Sequence, residues 1–347
     1  VPKYDGFCTV PNHLNHQKEI DGFLNLYEPI THRPQEGDFS HICSLVEHIF
    51  GEQYELGMDY LQLLYLQPVQ KLPILLLVSE ERNTGKSTFL NFLKALFENN
   101  VTFNTNEDFR SQFNSDWAGK LLIVVDEVLL NRREDSERLK NLSTTFTYKV
   151  EAKGKDRAEI AFFAKFVLCS NNEHLPVIID AGETRYWVRK IDRLQSDDTD
   201  FLQKLQAEIP AFLHFLQHRT LSTEKKSRMW YAPSLLQTEA LQKIIRSNRN
   251  RLEIEMCELL LDIMTVMNVN SVSFCPQDIL LLLSNTFVKA EKHQVRKVLQ
   301  ESWKLPPANN TLTYTTYQVD YTRECRYSPL KKTGRYYTVT KEFLETL

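Results

Sequence analysis

The sequence predicts an α/β fold built on a central, mainly parallel sheet, with a helical region before the sheet and a smaller winged-helix-like domain after it. Short, continuous apolar runs at 72–78, 121–125 and 166–169 predict the sheet, and helical patterns separate these runs. Runs of this kind are typical of strands that are buried on both faces of a parallel sheet. Because 347 residues exceed what one core usually holds, we expect more than one compact domain.

Further helices and a hairpin are predicted around these strands. Apolar residues recur at helical spacing between 39 and 67, which predicts two helices that end at Pro68. A helix over 87–97 follows the first strand directly, and another is predicted over 134–145. A hairpin is predicted over 148–163, because a polar, Gly-centred turn lies there between strand-like flanks.

The carboxyl-terminal half is mainly helical until its last forty residues. The predicted helices lie at 201–216, 234–245, 252–267, 276–284 and 290–300. An alternating stretch at 311–319 and a last strand at 335–340 then predict a two-stranded ribbon. Three helices followed by such a ribbon indicate a winged-helix-like domain.

Composition excludes several classes of protein. With 42% hydrophobic and 25% charged residues, the chain is an ordinary folded protein. Its longest apolar run, 72–78, is far shorter than the roughly 20 residues that a bilayer crossing needs, so we expect no membrane association. The chain begins at Val1, no signal peptide is visible, and we expect a fragment of something longer.

The cysteines and the charge narrow the expectations further. Six cysteines without a C-x-x-C pair argue against a zinc site and a disulfide framework, and they favour a cytoplasmic location. The net charge of −3 means that any nucleic-acid surface must be local. Residues 289–341 contain eleven Lys and Arg against four Asp and Glu, which makes the carboxyl-terminal region a candidate.

A phosphate-binding loop is predicted between the first buried strand and its helix. A phosphate chain needs backbone N–H groups curled around it, a helix amino terminus, a cation and a hydroxyl for Mg²⁺. Gly85 would permit close approach, Lys86 would reach the β and γ phosphates, and Ser87 would bind the metal. The predicted ATP-binding residues are Asn83, Thr84, Gly85, Lys86, Ser87 and Thr88.

This loop departs from the usual pattern at one position. Glu80 stands where the pattern has its first glycine, and that glycine often serves a backbone turn. The departure at Glu80 calls into question either the shape of the loop or its affinity for ATP. The alternative explanation is a chance Gly-Lys-Ser at the start of a helix, against which the flanking strand and helix argue.

An acidic pair ends the second buried strand. Asp126 and Glu127 would point out of the carboxyl edge of the sheet, where the phosphate loop also lies. Asp126 would hold Mg²⁺, and Glu127 would polarise the water that attacks the γ-phosphate. The alternative is a pair that simply ends a strand. The loop and the pair together indicate a P-loop NTPase core with an AAA+-like arrangement.

Two further residues are candidates for catalysis. Asn171 follows the third buried strand and would lie between the acidic pair and the phosphates, although Asn is also an ordinary loop residue. Arg185 precedes another strand and would stabilise the transition state in a neighbouring subunit. The alternative is that Arg185 is an ordinary surface arginine, and Arg189 is a second candidate for the catalytic role.

Together these segments resemble the superfamily 3 helicases, a group with parvovirus Rep proteins, papillomavirus helicases and poxvirus-like primase-helicases of phages and mobile elements. The resemblance is carried by the order of 85–88, 126–127, 153–155 and 170–171, with Arg185 shortly after. The sequence is also similar to the phage and poxvirus branch near its amino terminus, where Asn25-Leu26-Tyr27 is followed by Pro29. The match is strong over 25–195.

The resemblance implies a ring, usually of six subunits, that hydrolyses ATP with Mg²⁺ and moves along single-stranded DNA. It places the hairpin in the central channel, so that Lys153 and Lys155 contact the DNA backbone, in keeping with two ammonium groups beside a flexible Gly. A solvated surface turn is the alternative. Many such relatives carry an upstream primase domain, but no convincing primase carboxylate pattern is present in this sequence.

The carboxyl-terminal region offers cations beside aromatic residues. They are Lys289, Lys292, Arg296 and Lys297 on a predicted helix, then Tyr314, Tyr317, Tyr321, Arg323 and Arg326 on the ribbon. Such residues can bind phosphates and stack on bases. Tyrosines at period two are also common as half-buried sheet residues.

The leading hypothesis is therefore an ATP-dependent DNA helicase or translocase of a phage, plasmid or mobile-element replication system. The alternatives are a ring ATPase that remodels protein and a nucleotide-binding switch that hydrolyses slowly. The expected domains are 1–68 (helical region), 69–194 (ATPase core), 195–252 (helical lid or linker) and 253–347 (winged-helix-like domain).

Overall fold

A computed structural model of the chain describes residues 3–110, 117, 119–130, 132–150, 158–180, 182–194, 198–248, 251–284, 290–320 and 326–347. The chain forms two compact units, Val1–Ile244 and Ile245–Leu347. The division predicted from the sequence, with boundaries at 68, 194 and 252, stays a prediction. Among the helices of the described residues, none is long and apolar enough to cross a membrane.

The first unit alternates strands and helices over most of its length. Its strands are β1 (Gly6–Cys8), β2 (Glu19–Ile20), β3 (Phe23–Asn25), β4 (Ile74–Val78), β5 (Val101–Asn104), β6 (Leu122–Val125), β7 (Thr147–Val150), β8 (Ala158–Ala161), β9 (Lys165–Ser170) and β10 (Tyr186–Lys190). Its helices are α1 (Ser40–Phe50), α2 (Tyr54–Leu66), α3 (Lys86–Phe97), α4 (Asn106–Arg110), α5 (Arg133–Thr144), α6 (Phe201–His218) and α7 (Glu239–Ser247), the last of which runs into the second unit.

The central sheet has five strands in the order β10-β4-β9-β6-β5, and every neighbouring pair is parallel. The predicted parallel sheet is confirmed, and its three central strands are the three apolar runs of the sequence. The edge strand β5 was not predicted, because its sequence VTFN is short and only half apolar. Since β9 lies between β4 and β6, the segments that follow these three strands are neighbours.

Four helices cover one face of the sheet. Alternate residues of the strands, such as Leu75 and Leu77 on β4 and Val167 and Cys169 on β9, share one buried core with α1, α2, α3 and α6. The two helices predicted before the sheet are thus present, and α2 ends at Leu66, just before Pro68. The packing explains why these helices are apolar over much of their surface.

A buried ion pair connects α2 to the segment after α6. Asp59 is fully buried and accepts hydrogen bonds from Arg219, Ser222 and Thr223. Burial raises the pKa of the Asp59 carboxyl, but the hydrogen bonds from Thr223, Ser222 and Arg219 outweigh this effect and hold the pKa below its ordinary value. A buried carboxylate in such a site must be fully paired to be tolerated.

Aromatic residues pack on the other face of the sheet. Phe166 of β9 contacts Phe109, Trp117 and Phe162, with ring centroids 5.8, 6.5 and 6.4 Å away. These residues come from α4, from the segment before β6 and from the segment after β8. The face therefore connects the sheet to the predicted hairpin, whose strands β7 and β8 pair antiparallel as expected.

The second unit has helices α8 (Arg251–Val266), α9 (Pro276–Leu283), α10 (Lys292–Lys297) and α11 (Lys341–Thr346), with a π-helical turn over Val298–Ser302. Its strands are β11 (Ser271–Phe274), β12 (Leu312–Val319), β13 (Tyr327–Gly334) and β14 (Tyr337–Thr340). One detail of the predicted ribbon is wrong. The partner of β12 is β13, which was not predicted, whereas the last strand β14 pairs with β11.

Candidate nucleotide-binding site

The candidate ATP residues lie at the carboxyl edge of the parallel sheet. Val78 of β4 pairs with Ser170 of β9, and Val125 of β6 pairs with Leu168 of β9. The chain leaves each of these three strands at the same edge, so the phosphate loop, the acidic pair and Asn171 are brought together. Ligands bind at this edge in open α/β sheets.

The phosphate loop is held in a conformation that needs left-handed residues. Asn83 has φ 56° and Gly85 has φ 78°, and Gly85 caps the amino terminus of α3. Asn and Gly are the residues that adopt this region most readily. Two contacts from elsewhere in the fold hold the loop: His48 Nε2 lies 3.0 Å from the Thr84 carbonyl oxygen, and the Leu194 N–H donates to Asn83 O at 2.9 Å.

Glu80 fits this loop without the freedom of a glycine. Its φ is not positive, so the backbone there does not need glycine. Its N–H donates to Glu173 Oε1 at 3.2 Å, and its exposed carboxylate lies 3.3 Å from His174 Nε2. The departure from the loop pattern therefore leaves the backbone turn intact.

Lys86 is the first residue of α3 and is buried beside the loop. Its ammonium donates to Thr84 Oγ1 at 3.0 Å. Burial lowers the pKa of Lys86, while the negative charges of nearby groups, Asp126 and Glu173 among them, oppose that change. The cation is thus poised at the helix amino terminus, where an anion is favoured.

Ser87 and Asp126 meet across the edge of the sheet. Ser87 Oγ donates to Asp126 Oδ2 at 2.7 Å, although the two residues are far apart in sequence. A hydroxyl and a carboxylate are the hard oxygen ligands that Mg²⁺ prefers, so this pair fits the ion chemically. Thr88, one residue further along α3, is half-buried.

Glu127 has a strained backbone in the left-handed region, with φ 59°. Neighbouring hydrogen bonds hold it there: Val128 N donates to Cys169 O at 2.7 Å, and Asn106 Nδ2 donates to Glu127 O at 3.1 Å. This conformation leaves the side chain exposed, and Asn171 Nδ2 lies 3.4 Å from Glu127 Oε1. The acid and the amide therefore face one space beside the loop.

Glu173 also lies in the candidate site, although no sequence pattern singled it out. It is buried and accepts hydrogen bonds from Glu80 N and, at 2.7 Å, from Lys243 of α7, while Lys190 lies 3.5 Å away. Burial raises the pKa of Glu173, but the bonds from Lys243 and Glu80 and the nearby lysine charges outweigh it and lower the pKa. Its position just after β9, at the same edge as Asn171, is the signal that would have found it.

Arg185 lies at the opposite, amino edge of the sheet. It precedes β10, and its carbonyl oxygen accepts from Ile74 N at the start of β4. Its guanidinium lies 3.4 Å from Glu183 Oε2 and is partly exposed. The five residues of β4 span about 16 Å at roughly 3.3 Å per residue, so Arg185 does not reach the phosphate loop of its own chain.

Arg189 is engaged within its own chain. It is buried and donates to both carboxylate oxygens of Glu52, at 2.6 and 3.2 Å, and to Gln53 Oε1. This pair connects β10 to the turn between α1 and α2. Of the two arginines proposed for catalysis from the sequence, Arg185 is the one on a partly exposed edge.

The base of the β7–β8 hairpin is described, whereas Lys153 and Lys155 lie outside the described residues. Lys71 donates to Phe162 O at 2.8 Å, and its ammonium lies 5.5 and 5.2 Å from the ring centroids of Phe146 and Phe162. Burial lowers the pKa of Lys71 to about 8. The hairpin therefore begins at the amino edge of the sheet, next to the start of β4.

A second contact at this base comes from α5. The Arg138 guanidinium lies 5.5 Å from the Trp117 ring centroid, and its Nη2 donates to Tyr148 Oη at 3.2 Å. Trp117 and Tyr148 stack with centroids 6.3 Å apart. Because α5 begins shortly after the acidic pair and ends just before β7, it runs between the two edges of the sheet.

Comparisons with known proteins agree with this α/β architecture. A family described as a family of unknown function, DUF5906, matches residues 77–189. The apo structure of the NrS-1 C terminal region (305-718) matches with a TM-score of 0.62 and 19% identity, over 88% of this chain and 73% of that chain. The A form apo structure of the same region gives a TM-score of 0.61 and 20% identity, with the same two coverages.

A structure of JCV Helicase matches with a TM-score of 0.35 and 12% identity, over 67% of each chain. No curated protein matches this chain. The similarity to the NrS-1 region extends over most of the chain and shows a shared fold.

Proposed function

We propose that this chain is an ATP-dependent DNA translocase or helicase that works as a ring, with Mg²⁺ as its metal. The observation that carries the proposal is the convergence of Lys86, the Ser87–Asp126 pair and the Glu127–Asn171 pair at one edge of a parallel sheet. These are the parts that phosphoryl transfer from ATP to water requires. The sequence resemblance to superfamily 3 helicases supports the same activity.

The chemistry follows from the positions of the side chains. The backbone N–H groups from Asn83 to Ser87 would surround the phosphates, and Lys86 would neutralise charge that builds up on the β and γ phosphates. Ser87 and Asp126 would hold Mg²⁺, which supplies charge neutralisation when bound. Glu127 would take a proton from the attacking water, and Asn171 would orient that water.

The proposal that DNA drives or senses this chemistry rests on the hairpin and on α5. The hairpin starts at the edge opposite the phosphate loop, and the 12 residues of α5, about 18 Å at 1.5 Å per residue, run between the two edges. A shift of α5 after hydrolysis would move Arg138 and, through it, Tyr148 at the hairpin base. We infer that Lys153 and Lys155 of this hairpin contact single-stranded DNA, as the sequence resemblance implies.

A ring is the assembly that gives Arg185 a role. Because Arg185 lies at the amino edge of the sheet, it can serve only the ATP site of a neighbouring subunit. We propose a ring, of six subunits as in the resembling helicases. Its guanidinium lies 3.4 Å from Glu183 Oε2 and is partly exposed, so that a neighbouring subunit can reach it.

One experiment tests the activity and separates it from the two alternatives. ATP hydrolysis is measured for the wild type, for Lys86→Ala and for Glu127→Gln, each with and without a poly-dT single strand. We expect the wild type to hydrolyse ATP faster when poly-dT is present. Both variants should lose hydrolysis, and Glu127→Gln should still bind the nucleotide. Stimulation by an unfolded protein but not by DNA would support protein remodelling, and near-zero turnover throughout would support a slow nucleotide switch.

A further inference from the structure

We propose that the second unit carries a binding site for double-stranded DNA on the exposed face of α10, separate from the hairpin and from the ATP site. The inference does not depend on ATP hydrolysis. It rests on the placement of α10 in the unit, on the charge of its exposed face and on its dimensions.

In the order and packing of the elements, α10 corresponds to the second helix of a helix-turn-helix, with eight residues between α9 and α10. Helices α8 and α9 pack on each other, α10 packs on α9, and the β12–β13 ribbon follows after the π-helical turn. The inner face of α10 and of that turn is anchored in the core through Val295, Val298 and Leu299. In helix-turn-helix proteins the helix at this position enters the major groove.

The ribbon is fixed to the same framework. Tyr314 of β12 donates to Asp278 Oδ2 at 2.7 Å, and Lys332 of β13 donates to Asp278 Oδ1 at 2.6 Å. Asp278 lies in the first turn of α9 and is buried. Both strands are therefore hydrogen-bonded to α9, the helix on which α10 packs.

The outward face of α10 is basic. The exposed residues of α10 are Lys292, His293, Gln294, Arg296 and Lys297, and Gln300 and Glu301 are exposed in the π-helical turn that follows. At 100° per residue the basic residues Lys292, His293, Arg296 and Lys297 lie within an arc of about 140°, opposite the buried side. Among the described residues neither Lys292 nor Arg296 forms an ion pair, while His293 and Lys297 have weak exposed pairs at 3.2 and 4.0 Å. Such pairs contribute little and are readily exchanged for phosphates.

The dimensions favour a duplex over a single strand. An α-helix with its side chains is about 10–12 Å across, which matches the width of about 12 Å of the major groove. The exposed part of α10 carries no Phe, Tyr or Trp, the side chains on which single-strand platforms mainly stack bases. Charge complementarity and shape thus both indicate duplex DNA, with Arg296 as the residue able to contact base edges, because the amide of Gln300 donates to Tyr337 Oη at 3.1 Å.

The test uses the full chain without nucleotide and a fluorescent 30-base-pair duplex. Anisotropy titrations at several salt concentrations compare the wild type with Lys292→Ala/Arg296→Ala. We expect the variant to bind at least tenfold more weakly and its salt slope to fall by about 1.8, because two phosphate contacts at about 0.9 each are lost. The charge-matched control Lys225→Ala/Lys341→Ala, which removes two cations outside α10, should bind as the wild type does.

Three outcomes would overturn the inference. The first is unchanged duplex affinity in the α10 variant, and the second is an equal loss in the control. The third is an equal loss on single-stranded DNA of the same sequence, which would indicate a non-specific phosphate surface. The ATPase assay of the same proteins keeps this test separate from the proposed function, since a chain that never hydrolyses ATP can still bind a duplex through α10.

Discussion

The replacement Arg185→Ala tests the ring, because Arg185 is the proposed catalytic residue that its own chain cannot use. Its guanidinium lies at the amino edge of the sheet beside Glu183, about 16 Å along β4 from the phosphate loop. ATP affinity within one subunit should therefore be unchanged. Arginine fingers supplied by a partner contribute roughly 10³ to 10⁵ in rate, or about 4 to 7 kcal/mol in the barrier.

The assay mixes two inactive proteins. Arg185→Ala keeps Glu127 but lacks the finger, and Glu127→Gln keeps the finger but lacks the proposed base. In a random equal mixture, about one quarter of the interfaces combine an intact Glu127 with an intact Arg185 from the neighbour. Hydrolysis should then recover to about a quarter of the wild-type rate, if interfaces act independently.

The control is Arg189→Ala, because Arg189 is bound to Glu52 within the chain. This change should lower the free energy of unfolding by about 2 kcal/mol through lost charged hydrogen bonds. Mixing Arg189→Ala with Glu127→Gln should not raise the rate of ATP hydrolysis above the rate of Arg189→Ala alone. If the Arg185→Ala mixture stays inactive although light scattering shows mixed rings, Arg185 is not the finger.

Four further changes test other parts of the structure. Lys86→Ala should abolish ATP binding in a fluorescence titration while the melting temperature stays near that of the wild type, since the hydrogen bond that its ammonium donates goes to Thr84 of the loop; near wild-type binding would contradict the assignment. Glu80→Gly should leave ATP affinity within about twofold, because the backbone at Glu80 does not need a glycine; a tenfold gain would show that the loop is compromised. Lys71→Met should keep basal hydrolysis and reduce its stimulation by poly-dT, because Lys71 positions the hairpin base; loss of basal hydrolysis would refute a role limited to the hairpin. Asp59→Asn should lower stability by about 3 kcal/mol at neutral pH. Because the pKa of Asp59 is lowered in the folded protein, the extra free energy of unfolding of the wild type is fully present above the ordinary pKa of about 4. It is lost as the pH falls through the folded pKa. Urea unfolding at several pH values measures this dependence.

Local patterns in the sequence were sufficient to predict the central part of the fold. The runs that became β4, β6 and β9 are recognisable because strands buried on both faces must be continuously apolar. Short or half-exposed strands gave no such signal. This is why β5 and β13 were missed and why the ribbon was given the wrong partner for β12.

The candidate site divides in the same way. Gly85, Lys86 and Ser87 were predictable because one loop and the first turn of one helix fix their mutual positions, and the Ser87–Asp126 hydrogen bond follows from two parallel strands that end at one edge. The support from His48 and Glu173 was not predictable. Each depends on a helix or loop that packs against the site from elsewhere in the sequence.

What the sequence by itself determined is the set of chemical groups and the edge of the sheet at which they meet, since both follow from local periodicity and from strand direction. Only the tertiary structure showed that the two arginines have different surroundings. Both lie on or beside β10 and look alike in sequence, but Arg189 faces the helices and is bound by Glu52, whereas Arg185 lies at the amino edge of the sheet. That difference arises because the register of β10 on β4, set by long-range packing, decides which arginine is enclosed by the fold and which stays partly exposed at the edge of the sheet.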